Sequence, residues 1–167
     1  MRAISHAIQG TAGYAILAVN TDAPLDSIAI ASALAGSLLP DLDSRHSWLG
    51  RRLLPLSIPV QMLLGRRGAL HSMIPLIAGG LLWSQAPPAW EPIIAAALVG
   101  YAIHILGDWL SGSVPLLWPW QRRFSAPVRV RLGGPMEIAL TGVIGLVLVG
   151  LLIQQGMILA EGETSII

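Results

Sequence analysis

Five apolar runs separated by polar stretches organise this chain: roughly His6 to Val19, Ile28 to Leu39, Ser72 to Ala86, Ile93 to Trp109 and Met136 to Gln154. Each reads as a helix, so the pattern predicts an all-α protein. The last run is long enough to cross a bilayer unaided. The first two fall short of the roughly 20 residues a full crossing wants, so they need flanking residues, tilt, or locally thin and partly wet surroundings. Pro75 sits in the first turn of the third run and Pro92 just ahead of the fourth, where proline costs a helix little. The expected architecture is a polytopic helical membrane protein, a single domain over residues 1–167 with about five (four to five) transmembrane segments.

Composition supports lipid over water as the surroundings. Of 167 residues, 54% are hydrophobic and 11% charged, far more apolar than a soluble domain. A soluble bundle of this size has too little interior to bury five such segments. The run after Arg2 leads directly into the second, so it reads as one arm of a hairpin and not as a cleaved leader.

Charge then sets the orientation. All ten basic residues are arginines. Arg2 precedes the first run, Arg45, Arg51, Arg52, Arg66 and Arg67 lie between the second and third, and Arg122, Arg123, Arg129 and Arg131 lie between the fourth and fifth. Five spans put all of them on one side, which the positive-inside rule makes cytoplasmic, with the N-terminus inside and the C-terminus external. Asp22, Asp26, Glu91, Glu161 and Glu163 fall outside.

The two inner loops differ in character. The stretch SWLGRRLLPLSIPVQMLLGRR mixes arginine with apolar residues around Pro55 and Pro59 and reads as a segment lying on the membrane surface. Its arginines set topology, or hold anionic lipid headgroups or a phosphate-bearing substrate above a site. In the second loop, Trp118, Trp120 and Phe124 beside Arg122 and Arg123 form an interfacial aromatic belt. Membrane lipids are the expected partners. No nucleic-acid recognition motif occurs, so no nucleic-acid partner is expected.

The inner ends of the runs carry the candidate chemistry. Asp41 and Asp43 follow an apolar helix that Pro40 prevents from continuing regularly, so both carboxylates can converge on an ion. His104 and Asp108 share one helical face, a turn apart, in an otherwise apolar segment; they suit two metal ligands or a ligand histidine oriented by its carboxylate, against the alternative of a structural hydrogen bond. His6 and His71 open the first and third runs on the same side. Glu137 opens the fifth, where helix-end electrostatics or catalysis accounts for it. His46 belongs to an exposed loop and is the weakest of the histidines as a ligand. With no cysteine in the chain, ligands are limited to histidine and carboxylate, which suits Zn²⁺, Mn²⁺ or Fe²⁺, as one ion or two.

Four stretches, GSLLPDLD, GRRGALHS, YAIHILGDWLSGSVPLLWP and RRF, resemble the family of small bacterial inner-membrane proteins described as membrane-bound metal-dependent hydrolases, one enterobacterial member of which is controlled by the DNA-damage repressor. The similarity runs from His6 to about Glu137. It implies a bacterial inner-membrane location and a divalent metal, Zn or Mn, held by His6, Asp41, Asp43, His71, His104 and Asp108. One departure stands out. Where the family commonly has HRGxTHS, this chain has Arg66, Arg67, Gly68, Ala69, Leu70, His71 and Ser72, so Arg66 replaces a histidine. Arginine is neither a metal ligand nor a base near neutral pH, but it can hold a phosphate.

These readings converge on a hydrolase that activates water at the cytoplasmic face to attack an ester or phosphoester, with a phosphate-containing lipid as the favoured substrate and Asp43 or Glu137 accepting the proton. Neither a serine-nucleophile motif nor HExxH occurs. Two alternatives remain: a noncatalytic membrane protein with a structural metal or polar cluster, and an ion transporter, which should instead place ligands near mid-bilayer.

Overall fold

The computed structural model describes residues 2–120, 122–127, 129–131 and 133–164, without the side chains of 157–164; the tail acids Glu161 and Glu163 therefore lie outside the described side chains. The helices are α1 (Ala3–Thr21), α2 (Ser27–Leu38), α3 (Trp48–Arg52), α4 (Leu54–Leu64), α5 (Ile74–Trp83), α6 (Glu91–Ser111) and α7 (Pro135–Thr164), with 3₁₀ turns at Leu39–Asp43 and Ala69–His71. The protein is all-helical. Among the described residues the only β-type pairing is a bridge between Val114 and Phe124.

Local chemistry sets the boundaries. Asp26 caps α2 by accepting a hydrogen bond from the Ala29 N–H at 2.8 Å, and Ser47 caps α3 by accepting one from Gly50 at 2.8 Å. Pro40 ends α2 as expected, yet the chain winds on as a 3₁₀ turn. That turn sends Asp41 and Asp43 in different directions. The surface stretch 48–64 is helical, as α3 and α4, with Pro59 carried on an exposed side. The third run begins its helix at Ile74 because Ala69–His71 forms a separate turn before it.

Among the described residues, two helices are long and apolar enough to cross a membrane, Glu91–Ser111 and Pro135–Gly156. The 12 residues of α2 and the 10 of α5 fall below that length, and α1 interrupts its apolar face with His6, Gln9, Thr11 and Asn20. The surface is nonetheless that of a lipid-facing protein. Leu146, Val143 and Ile153 on α7, Ile77, Leu81 and Leu82 on α5, and Leu63 and Met62 on α4 are all exposed. Among the largest fully buried side chains are His6, His71, His104, Asp43, Asp108 and Glu137. Polar groups inside and apolar groups outside reverse the arrangement of a water-soluble domain.

Five helix ends meet at one end of the bundle. His6 near the start of α1 contacts Asp108 near the end of α6, His104 of α6 contacts Ser37 at the end of α2, and Ser5 of α1 contacts Glu137 at the start of α7. The Met73 N–H, at the start of α5, bonds the Leu116 carbonyl beyond α6. Successive helices α1, α2, α5, α6 and α7 therefore alternate in direction.

Small residues make this convergence possible. A methyl group on Gly100 would collide with the Ala33 carbonyl, and one on Gly36 with the Ala97 carbonyl, so α2 and α6 touch backbone to backbone. Ala18, Ala29, Ala33 and Ala96 pack with Tyr14 in the core farther along. Gly100→Leu is expected to force α2 from α6 at a cost of about 1–3 kcal/mol, the usual penalty of overpacking, and to separate His104 from Ser37. Thermal unfolding in detergent checks the first effect; unchanged stability would show that the helices do not depend on this contact.

Candidate metal centre

The polar cluster is built from α6 outward. With its neighbours on α2 pressed close, the His104 Nδ1–H donates to the Ser37 carbonyl oxygen at 2.6 Å, a bond that leaves Nε2 as the lone-pair nitrogen. That Nε2 is buried with no hydrogen-bond partner. The His6 ring stacks on His104 with centroids 3.8 Å apart, and its Nε2 lies 3.2 Å from Asp108 Oδ1. The spacing of His104 and Asp108 thus places both in one buried cluster, as their shared helical face suggested.

His71 enters from the turn before α5. Its Nδ1 is 3.0 Å from Asp43 Oδ2, which also accepts the Gly68 N–H at 3.0 Å. Its Nε2 stands 3.5 Å from Asp108 Oδ2. The Tyr101 hydroxyl donates to the Leu70 carbonyl oxygen, fixing the turn against α6. Gly68 is needed here because a Cβ would strike the Leu64 carbonyl. Burial disfavours the His71 imidazolium, yet hydrogen bonding toward Asp108 and Asp43 outweighs it and lifts the pKa to about 9.

Among the described residues, two groups of side chains have the spacing to hold a cation: His6, His104 and Asp108, and Asp41, His71 and His104. Within each, the ligand atoms lie within 4.8 Å of one another. Buried and unpartnered His6 Nδ1, His104 Nε2 and Asp43 Oδ1 are what a closed polar cluster would avoid, at about 1–3 kcal/mol for each unsatisfied group, and what a cation site requires. The residues fit a divalent ion with nitrogen and oxygen ligands. Because Nδ1 of His104 is committed to Ser37, the two groups share its one remaining nitrogen, Nε2.

The remaining candidates take distinct places. Asp43 lies behind His71, in the position of a carboxylate that orients a ligand histidine. Asp41 is half-buried on the cluster's open side; burial raises its pKa, reinforced by Asp108 and opposed by His6, His71 and Arg67. Glu137 is not part of either group. Its Oε1 accepts from the Arg2 N–H at 2.9 Å and Ser5 Oγ–H at 2.6 Å, and its Oε2 from the Gly133 N–H at 2.8 Å, so it ties the chain's start to α7. His46 lines the same cavity as Asp41 but belongs to neither ion group.

Sequence reasoning did not single out Arg67 or Ser37. Arg67 places its guanidinium 3.1 Å from Asp108 Oδ2 from a backbone with φ of 49°, left-handed and uncommon for a side chain of this size. Nothing in GRRG separates this arginine from its topological neighbours. The Ser37 contribution is a backbone carbonyl, which carries no residue-type signal.

The family model for YdjM inner membrane protein matches residues 1–162. The chain belongs to the YdjM inner membrane protein family. It is 37% identical over 106 residues to the inner membrane protein YdjM of Escherichia coli K12, covering 60% of this chain and 54% of the relative, and likewise to that of Shigella flexneri. It is 30% identical over 108 residues to the uncharacterized protein YvsG of Bacillus subtilis, covering 64% of this chain and 67% of the relative. This chain thus spans about half the length of the two YdjM relatives. No solved structure matches it. Membership makes this an inner membrane protein, in agreement with its lipid-facing surface.

His104→Ala removes the nitrogen common to both groups and is expected to abolish stoichiometric ion binding. Asp43→Asn, which weakens only the hold on His71, is expected to reduce affinity by about 10–100-fold. Elemental mass spectrometry of detergent-purified protein and competition with a chelator read the two effects; an ion retained at full affinity by both variants would place it elsewhere.

Proposed function

We propose that this protein is a membrane-bound, metal-dependent hydrolase acting on an ester or phosphoester at the cytoplasmic face. The observation that carries the reading is the position of Asp41, which belongs both to a cation-binding group and to the wall of a cavity of about 690 Å³. The site thereby borders a cavity large enough for a molecule of ligand size, as hydrolysis of a bound substrate requires.

The ion in such a site supplies a Lewis acid and a water of lowered pKa. His6, His104 and Asp108 would hold it, and Asp43 fixes the orientation of the His71 ring beside them. Asp41, the carboxylate that reaches the cavity, receives the proton from water; its raised pKa suits a group that must also return it. This role passes to Asp41 because Asp43 faces His71 and Glu137 is held by three hydrogen bonds at α7. The alternation of helices α1, α2, α5, α6 and α7 supports five crossings, with an inside N-terminus, an external C-terminus and all ten arginines on the side of the cluster.

One observation favours the rival, a noncatalytic protein enclosing a structural ion: the Arg67 guanidinium on Asp108 partly neutralises the site. The two readings separate in one experiment. Protein reconstituted with Zn²⁺ or Mn²⁺ is assayed against p-nitrophenyl acetate, p-nitrophenyl phosphate and dioctanoyl phosphatidic acid. Asp41→Asn is expected to keep the ion and lower turnover by about 10²–10⁴-fold, the contribution of a positioned base. A metal-loaded protein that turns over none of these ester classes, or an Asp41→Asn variant with undiminished turnover, would overturn the catalytic assignment.

A further inference from the structure

The cavity beside Asp41 has two unlike walls. One is cationic: Arg51, Arg66 and Arg67 line it, and among the described residues neither Arg51 nor Arg66 pairs with a carboxylate. The other wall is apolar, made by Ile4 and Ala7 of α1 and Leu34 and Leu38 of α2. Ile4 and Leu34 are also exposed, at 66% and 39%. The apolar wall is therefore continuous with the surface that faces lipid. Trp48 of α3 borders the same cavity, with the Arg52 guanidinium stacked 3.8 Å over its ring, as interfacial aromatics do.

We infer that this cavity receives a membrane lipid bearing a terminal phosphate, its headgroup among Arg51, Arg66 and Arg67 and its chains leaving between α1 and α2. The inference rests on the hydrolase reading for its consequence but not for the binding itself. Charge complementarity selects the headgroup, since arginine forks match phosphate oxygens in paired hydrogen bonds. The apolar wall selects a lipid over a free phosphate ion, which gains nothing from Leu34 or Leu38. The volume of about 690 Å³ lies within the usual range for ligand sites and is ample for a headgroup whose chains stay in the bilayer.

The placement also gives Arg67 a function. It lines the cavity and contacts Asp108, so it joins the headgroup wall to the ion groups. Hydrolysis of the bound ester breaks the P–O bond to the lipid alcohol and forms a P–O bond to the water oxygen. The proton taken from water ends on the alcohol oxygen, leaving inorganic phosphate and a neutral lipid alcohol. The neutral product loses its attraction to the arginines and returns to the bilayer.

Binding is tested on the EDTA-treated full chain in dodecyl maltoside, so that loss of turnover and loss of binding are read separately. Calorimetric titration with dioctanoyl phosphatidic acid is compared with inorganic phosphate and with dioctanoylglycerol. Phosphatidic acid is expected to bind at least tenfold more tightly than either. Arg51→Gln and Arg66→Gln each weaken it roughly fivefold, and together about 25-fold, on about 1 kcal/mol per arginine near an anionic lipid. Removing the same charge with Arg122→Gln and Arg129→Gln, away from the cavity, leaves affinity unchanged and controls for bulk electrostatics. Leu34→Trp, which fills the apolar wall, weakens the lipid but not inorganic phosphate. Equal binding of phosphate and lipid would overturn the lipid assignment, and lipid binding indifferent to Arg51, Arg66 and Leu34 would overturn the location. Tight, cavity-dependent binding without turnover of the metal-loaded protein would uphold this inference and remove the hydrolase reading instead.

Discussion

The hydrogen bond from His104 to the Ser37 carbonyl is the contact on which the rest of this structure depends. It forms only because Gly36 and Gly100 let α2 and α6 approach to backbone distance. That approach has several consequences at once. It decides which His104 nitrogen is available, brings the end of α2 and its PDLD turn beside α6, and holds His6 of α1 stacked against the same ring. In lipid, where burying apolar side chains gives no drive for association, such close packing and interhelical hydrogen bonds are what hold helices together.

The same constraint explains why so many ionisable groups are tolerated in the interior. An isolated charge there is expensive, but these groups occur as partners: Asp43 with His71, Asp108 with His6 and Arg67. The pairings leave His6 Nδ1 and His104 Nε2 buried and without a hydrogen-bond partner, on two rings stacked against each other. A cluster designed only for structural satisfaction would use its histidines at both nitrogens. The residual acceptors are what a cation would complete, and Asp41, less buried than the others, is the member of these groups that also lines the cavity.

Much of this was legible in the sequence because its signals are local. The four-residue spacing of His104 and Asp108, Pro40 after an apolar run, and the apolar segments themselves each depend on near neighbours, and the helices follow them closely. What the sequence did not carry depends on distance in the chain. The roles of Asp41 and Asp43 diverge because a 3₁₀ turn rotates one toward a cavity and the other under His71, which neighbouring residues do not specify. Arg67 meets Asp108 across the bundle, and Ser37 contributes a carbonyl that any residue would possess. Glu137 reads equally as a helix-end acid or a catalytic one until Arg2, Ser5 and Gly133 are seen to use its oxygens.

The substitution at Arg66 acquires a different meaning once its position is known. In sequence, loss of a histidine from a metal-binding motif reads as damage to the ion site. In the fold, residue 66 is exposed and lines the cavity, whereas both cation-binding groups are assembled from His6, Asp41, His71, His104 and Asp108 without it. The exchange therefore alters the cavity wall and leaves the residues of both candidate cation groups untouched. A neutral or titrating imidazole there becomes a permanent positive charge with several donors. That change favours an anionic occupant of the cavity over a neutral one, so the departure from the family pattern bears on the proposed lipid site more directly than on the residues grouped for a cation.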